Sequence, residues 1–186
     1  MLSRYDSVQN LIRECLTIKI IPMKKITFLF VLLAVCLNVT NATTYFVDAS
    51  ASTNGNGLSP STPKNNFWSI SLAAYDIIYF KAGVVNTAGI YTISANNITI
   101  GRYGTGNNPE FTNPSGWTVF NVTGNNFKIS DVSIYNTTYS AITLGGNNGE
   151  VSNCWITIVA FGVAIKGDYC YVHHNTFKDL KMQHND

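Results

Sequence analysis

Cysteine is scarce in this chain: four in 186 residues, and two of those, Cys15 and Cys36, fall in a stretch that reads as a leader. The stapled framework of a small disulfide-rich domain is therefore absent, and Cys154 and Cys170, which fall in apolar rows, are expected as free thiols. Membrane-length apolar runs are missing too. Residues 26–37 form an apolar run of about a dozen, short of the roughly 20 that cross a bilayer, so a permanent membrane anchor is the weaker reading and none is expected. The histidines, His173, His174 and His184, all lie in the last fourteen residues, and their spacing fits no zinc pattern, so no metal ligand is assigned. Gly101-Arg102-Tyr103-Gly104-Thr105-Gly106 lacks a following Gly-Lys-Ser/Thr and is no phosphate loop.

What stands at the N-terminus is a signal-type segment. Met23-Lys24-Lys25, the apolar run and Thr40-Asn41-Ala42 supply the charged, apolar and small-residue parts of a secretory signal, with cleavage expected after Ala42. Residues 23–42 are thus expected as a signal peptide, of bacterial type, and the product as secreted or held at the cell surface. Residues 1–22 precede a complete signal and read as an upstream extension from a misassigned start, a short cytosolic tail being the alternative. The formal charge of +2 belongs to this leader. Residues 43–186 hold seven basic and eight acidic side chains, and no basic patch interleaved with aromatics marks a nucleic-acid partner.

Within residues 43–186 three stretches fall into register: Asn126-Phe-Lys-Ile-Ser-Asp-Val-Ser-Ile134, Asn148-Gly-Glu-Val-Ser-Asn-Cys-Trp-Ile156 and Tyr169-Cys-Tyr-Val-His-His-Asn-Thr-Phe177. Ile129, Val151 and Val172 stand 22 and 21 residues apart, as do Val122, Leu144 and Ile165. Short apolar strands at such a period, joined by Gly/Asn corners, are the mark of a solenoid. Strand alternation points Ile129, Val151, Val172, Ile134, Ile156 and Phe177 inward. It places Lys128, Glu150 and Tyr171 in one outward stripe, Ser130, Ser152 and His173 in the next, and Tyr135, Thr157 and Lys178 beyond a corner. Asp131, Asn153 and His174 occupy that corner, where residues tolerant of left-handed backbone are favoured.

The three rows per coil predict an all-β parallel β-helix of roughly four coils of about 21–22 residues. A sandwich or barrel is the alternative, and the absence of a Leu-rich consensus argues against a horseshoe. Phe67, Ile70 and Ala74, at spacings of three and four, predict a short capping helix over residues 66–74. The Gly104–Pro109 turn cluster is expected to lengthen its coil. The register runs to Asp186 without a capping segment, so residues 43–186 are expected to be the N-terminal portion of a longer β-helix, partnered by further coils.

Several segments resemble the secreted right-handed parallel β-helix proteins of the pectate-lyase-like superfamily. Tyr45-Phe46-Val47-Asp48, the Gly57-Leu58-Ser59-Pro60-Ser61-Thr62-Pro63 loop and Ile78-Tyr79-Phe80-Lys81-Ala82-Gly83 are similar to the opening of that fold. Ile98-Thr99-Ile100-Gly101-Arg102-Tyr103-Gly104-Thr105-Gly106 is similar to its first full coil, and Val172-His173-His174-Asn175-Thr176-Phe177 to its rung pattern. The resemblance covers essentially residues 44–186 and implies extracellular polysaccharide as partner. It spans lyases, glycoside hydrolases, epimerases and non-catalytic surface proteins, with catalytic residues usually on later coils.

Lyase cleavage of an acidic glycan is the activity expected first, with a non-catalytic adhesin-type or carbohydrate-binding solenoid as the alternative. Lyase chemistry must neutralise a uronate, by calcium or by Lys/Arg, and then remove a proton with a Lys, Arg, His or Tyr base. Lys166, Tyr171, His173 and Lys178 are the candidate catalytic residues, and calcium is the one cofactor the resemblance brings into view. Hydrolysis needs a carboxyl pair across the scissile bond, which Asp131 and Glu150, in different rows, do not match. Trp155, Tyr135 and Tyr139 are candidate substrate-binding aromatics, since ring faces stack on sugars.

Overall fold

The computed structural model describes residues 42–87 and 89–181. The upstream extension, the signal segment up to residue 41, with Cys15 and Cys36, and residues 182–186, with His184, lie outside the described residues. The described chain winds through about five turns, one more than expected from the sequence. Each turn lays one strand on each of three parallel sheets, and the strands are numbered in chain order. The first sheet stacks β1 (Thr44–Val47), β2 (Ile77–Lys81), β5 (Thr99–Tyr103), β8 (Lys128–Ser130), β11 (Glu150–Ser152) and β14 (Tyr171–His173). The second stacks β3 (Val85–Thr87), β6 (Glu110–Asn113), β9 (Ser133–Thr137), β12 (Trp155–Thr157) and β15 (Thr176–Lys178). The third stacks β4 (Tyr91–Ile93), β7 (Phe120–Val122), β10 (Ser140–Leu144) and β13 (Phe161–Ile165).

Register follows the apolar rows. Ile78 pairs with Ile100, Ile100 with Ile129, Ile129 with Val151 and Val151 with Val172. One of these steps, from Ile100 to Ile129, is seven residues longer than its neighbours, and part of the excess is the Gly104–Pro109 cluster, six residues between β5 and β6 where three join β2 to β3 and two join β8 to β9. Inside, Phe80, Phe111 and Phe120 interlock edge to face at 4.8 and 4.9 Å in the early coils. Ile129, Ile134, Ile142, Leu144, Val151 and Ile156 fill the later ones without solvent contact. Each such side chain stabilises the fold by about 1.5–3 kcal/mol relative to exposure.

The corners are made by left-handed residues in columns. Asp131, Asn153 and His174 have φ of 57°, 55° and 54°, as their corner placement predicted. Asn97, Asn126, Asn148 and Tyr169 form a second such column, and Asn136, Ile158 and Asp179 a third, with φ of 57°, 56° and 51°. Beside the second column runs an asparagine ladder. Asn125 N–H donates to Asn96 Oδ1, Asn147 N–H to Asn125 Oδ1 and Asp168 N–H to Asn147 Oδ1, each at 2.8 Å. Such bonds give turn backbone the partners that a strand would find in its sheet. Gly124, Gly146 and Gly167 stack directly over one another there, so close that a methyl group on Gly146 or Gly167 would overlap the carbonyl beneath it.

The expected capping helix is replaced by a single 3-10 turn, Phe67–Ser69. Asn66 caps it by accepting from Ser69 N–H at 2.8 Å, and Ile70 is already extended at φ −102°, ψ 125°. Phe67 is buried, 6.2 Å from the Phe80 ring and 5.0 Å from that of Tyr91. The apolar spacing thus marks side chains that plug the end of the coil one by one, over too short a span to sustain a helix. Nearby, buried Asp76 accepts from Thr43 N–H and Ala73 N–H, both at 2.8 Å. Among the described residues no helix is long and apolar enough to cross a membrane.

Candidate functional site

Three outward faces carry chemistry. On the second sheet, register stacks Glu110, Ser133 and Trp155 in one column, and Thr112, Tyr135, Thr157 and Lys178 in the adjacent one. The long coil walls this face. Arg102 Nη1 donates to Gly106 O at 2.6 Å, and Gly83 N–H donates to Asn107 O at 2.8 Å, so the bulge is tied down at its middle by two bonds. The result is a groove of about 820 Å³ lined by Arg102, Asn107, Glu110, Tyr135, Trp155 and Thr157 among others. Trp155 is 46% exposed and presents a ring, while Asn107, Ser133 and Thr157 present hydrogen-bonding groups. No described cation stands within ion-pairing distance of the half-buried Glu110 carboxylate.

On the first sheet Glu150 is a hub. Its Oε1 accepts from Lys128 Nζ at 3.0 Å and Ser152 Oγ at 3.2 Å, and lies 3.3 Å from His173 Nε2. The Lys128 ammonium, opposed by partial desolvation and aided by Ser152 and His173, holds the Glu150 carboxyl below its usual range. His173 Nδ1 faces His174 Nδ1 at 2.6 Å. A depression of about 510 Å³ opens here, lined by Glu150, Tyr169, Tyr171 and His173. Ser130 and Ser152, expected on the solvated face, point outward but are nearly excluded from solvent, Ser152 by the Glu150 and His173 side chains in contact around it.

On the third sheet, rings repeat once per coil. Trp117 lies 5.2 Å from Tyr139, and Tyr139 lies 4.8 Å from Phe161, centroid to centroid. Trp117 is 71% exposed and Phe161 48%.

The structure divides the candidate residues among these faces. Tyr171 and His173 share the depression on β14, whereas Lys178 sits on β15 of the second sheet, 4.0 Å from Asp179. Lys166 follows β13, its N–H bonded to Leu144 O at 2.8 Å. Trp155 and Tyr135 share the groove, and Tyr139 belongs to the ring ladder of the third sheet. Spacing could have found Trp117 and Phe161, which stand 22 residues either side of Tyr139. Glu110 and Arg102 had no such signal, because both border the irregular coil. Among the described residues Glu110 is the one carboxylate lining the groove, and they bring no second carboxyl there to make the pair that glycoside hydrolysis needs. Calcium takes six to eight oxygen ligands, and among the described residues no group of three or more His, Cys, Asp or Glu could hold a metal ion. Cys154 is buried and Cys170 half-buried, both free thiols; burial pushes the Cys154 thiol up to about 11.

Coils of parallel strands on three sheets define a β-solenoid of the pectate-lyase-like fold. No family model matches the chain, and no curated protein sequence matches it. Two solved structures of a GH136 lacto-N-biosidase from Eubacterium ramulus are similar in fold. The native protein gives a TM-score of 0.61 at 11% identity over 74% of this chain and 34% of that one. The selenomethionine derivative gives 0.62 at 10% identity over 95% and 41%. A rhamnogalacturonan lyase gives 0.53 at 17% identity over 66% and 38%. The chain therefore spans between a third and about two fifths of the length of these neighbours, and at these identities the likeness is one of fold.

Proposed function

We propose that this chain is the polysaccharide-binding part of an extracellular, glycan-acting β-helix protein, and that an oligosaccharide lies in the groove on its second sheet. The observation that carries this reading is the pairing of a ring floor, Trp155 and Tyr135, with the polar wall of the tied-down bulge in one groove. Sugars present apolar C–H faces that stack on such rings and hydroxyls that bond to such walls. The two fold neighbours, named as a lacto-N-biosidase and a rhamnogalacturonan lyase, add support from the same fold. The test is glycan-array or calorimetric binding of the full chain. Trp155→Ala and Tyr135→Ala are expected to weaken oligosaccharide binding by tenfold or more, and binding that is absent, or that both variants retain in full, would sink the reading.

Lyase-type cleavage of an acidic glycan is the second reading. It has one favouring observation: Tyr171 and His173, a phenol and an imidazole, open on the same depression, with Lys128 in the same stripe as Tyr171, two coils away. Against it, Lys128 is already neutralised by Glu150. Ultraviolet absorbance of unsaturated uronide on polygalacturonate or alginate, with calcium supplied, decides the matter. Turnover that His173→Ala abolishes supports the lyase; no absorbance change leaves binding alone.

A further inference from the structure

Glu110, like Asp131 and Asp168, has no cation within ion-pairing distance among the described residues, and it is the one of the three that lines the groove. Asp48 and Glu150 are matched by Lys81 and Lys128, and Asp76 by two backbone N–H groups. The Glu110 carboxylate is half-buried in the groove floor with no cation in range. The obvious counter-charge, Arg102, lines the same groove but is turned onto Gly106 O at 2.6 Å and makes no ion pair with it. Two strand steps along its column, about 10 Å at the usual sheet spacing, lies Trp155, with Tyr135 in the next column. A carboxylate without an ion-pair partner recognises an ammonium group by a charge-assisted hydrogen bond, while rings further along the same groove take the apolar face of a sugar.

Resting on the proposal that the groove holds a glycan, we infer that it selects a chain carrying free amino sugars. One pyranose stacks on Trp155, and a unit further along the solenoid axis places its ammonium against Glu110. A uronate at that position meets like charge, and an N-acetylated unit offers no positive charge. The groove therefore discriminates by charge at one end and by ring stacking at the other.

The test is calorimetric titration of the full chain with three tetramers, of glucosamine, N-acetylglucosamine and galacturonic acid, at mildly acidic pH. The glucosamine tetramer is expected to bind about tenfold or more tighter than the acetylated one, as for a hydrogen bond between charged partners. That advantage should shrink with added salt. Glu110→Gln, which keeps the side-chain shape, should collapse the glucosamine to N-acetylglucosamine ratio towards one, and circular dichroism should confirm an intact fold. Equal affinities in the wild type, a preference for the galacturonic acid tetramer, or an advantage that survives Glu110→Gln would each overturn the inference. If all tetramers bind equally and Trp155→Ala weakens them alike, the groove still binds glycans and only the amino-sugar selectivity falls. If none binds, the reading of the groove falls with it.

Discussion

Replacing Gly146 by alanine tests whether the coils are held at their spacing by the glycine column. The backbone there is not left-handed, so alanine meets no torsional objection. Its methyl group would instead overlap the carbonyl carbon and oxygen of Gly124 in the coil below. Those atoms are backbone and cannot rotate aside. Relief requires the coils to separate, which lengthens the Asn147 N–H bond to Asn125 Oδ1 at 2.8 Å and the Asn126 N–H bond to Asn147 O at 2.9 Å. Overpacking costs about 1–3 kcal/mol, the upper end applying where backbone atoms take the overlap, and the lower entropy of the unfolded alanine chain returns about 0.4–1 kcal/mol. A net loss near 2 kcal/mol predicts a fall in Tm of about 4–8 °C for a chain of this size. Gly145→Ala is the control, since its added methyl group meets the Val122 carbonyl oxygen at 3.3 Å, a contact that a small shift relieves. Urea unfolding followed by fluorescence, with thermal melts alongside, gives both numbers. A Gly146→Ala variant as stable as the wild type, or destabilised no more than Gly145→Ala, would refute the account of the column.

Ile158 is a β-branched residue held at φ 56° in a corner column that otherwise carries Asn136 and Asp179; left-handed backbone costs such a residue about 1–2 kcal/mol, and Ile158→Asn is expected to raise the urea midpoint, with a lowered midpoint counting against strain at that corner. Asn125→Ala removes the acceptor of the Asn147 N–H and should destabilise by about 1–2 kcal/mol, visible as faster hydrogen exchange at Asn147; unchanged exchange would show that the ladder is dispensable. Burial raises the Asp48 carboxyl, but the Lys81 ammonium at 2.7 Å and the Ser50 hydroxyl and amide outweigh it and leave its pKa lowered. Its contribution is then full above the unfolded value of about 4 and lost as pH falls through the lower folded value. Lys81→Met, at a site where the lysine is 45% exposed and the pair partly screened, should cost about 1–2 kcal/mol at neutral pH and reduce the loss of stability on acidification, whereas an unaltered acid limb would remove Asp48 from it. Cys154, buried and raised to about 11, should resist iodoacetamide in the folded chain while half-buried Cys170 is alkylated, and equal labelling by mass spectrometry would contradict their placement.

The parts of this fold that could be read in advance are those where a coil repeats its neighbour. Ile129, Val151 and Val172 announce their column because an inward side chain in a parallel solenoid must recur at the coil length, and Asp131, Asn153 and His174 announce a corner for the same reason. The Phe67–Ser69 turn was hidden because an end plug repeats nothing: its three apolar residues imitate a helical face. Buried polar side chains escaped for another reason. Asp76, Asn113 and Thr118 are defined by the backbone groups they satisfy, and no periodicity marks such a partner. Tyr139 looks outward as Trp155 and Tyr135 do, but from a different face, and only the sheet pairings separate them. The groove combines both cases. Its floor, Tyr135 and Trp155, lies in the regular coils, but a regular coil makes a flat face. The six residues that follow Tyr103, with Arg102 bonded to Gly106 O, raise the wall that turns that face into a groove and leave Glu110 at its foot. Glu110 keeps its place in the column, paired with Val85 and Ser133, so it is the irregular wall beside it, and not its own register, that no repeat could announce.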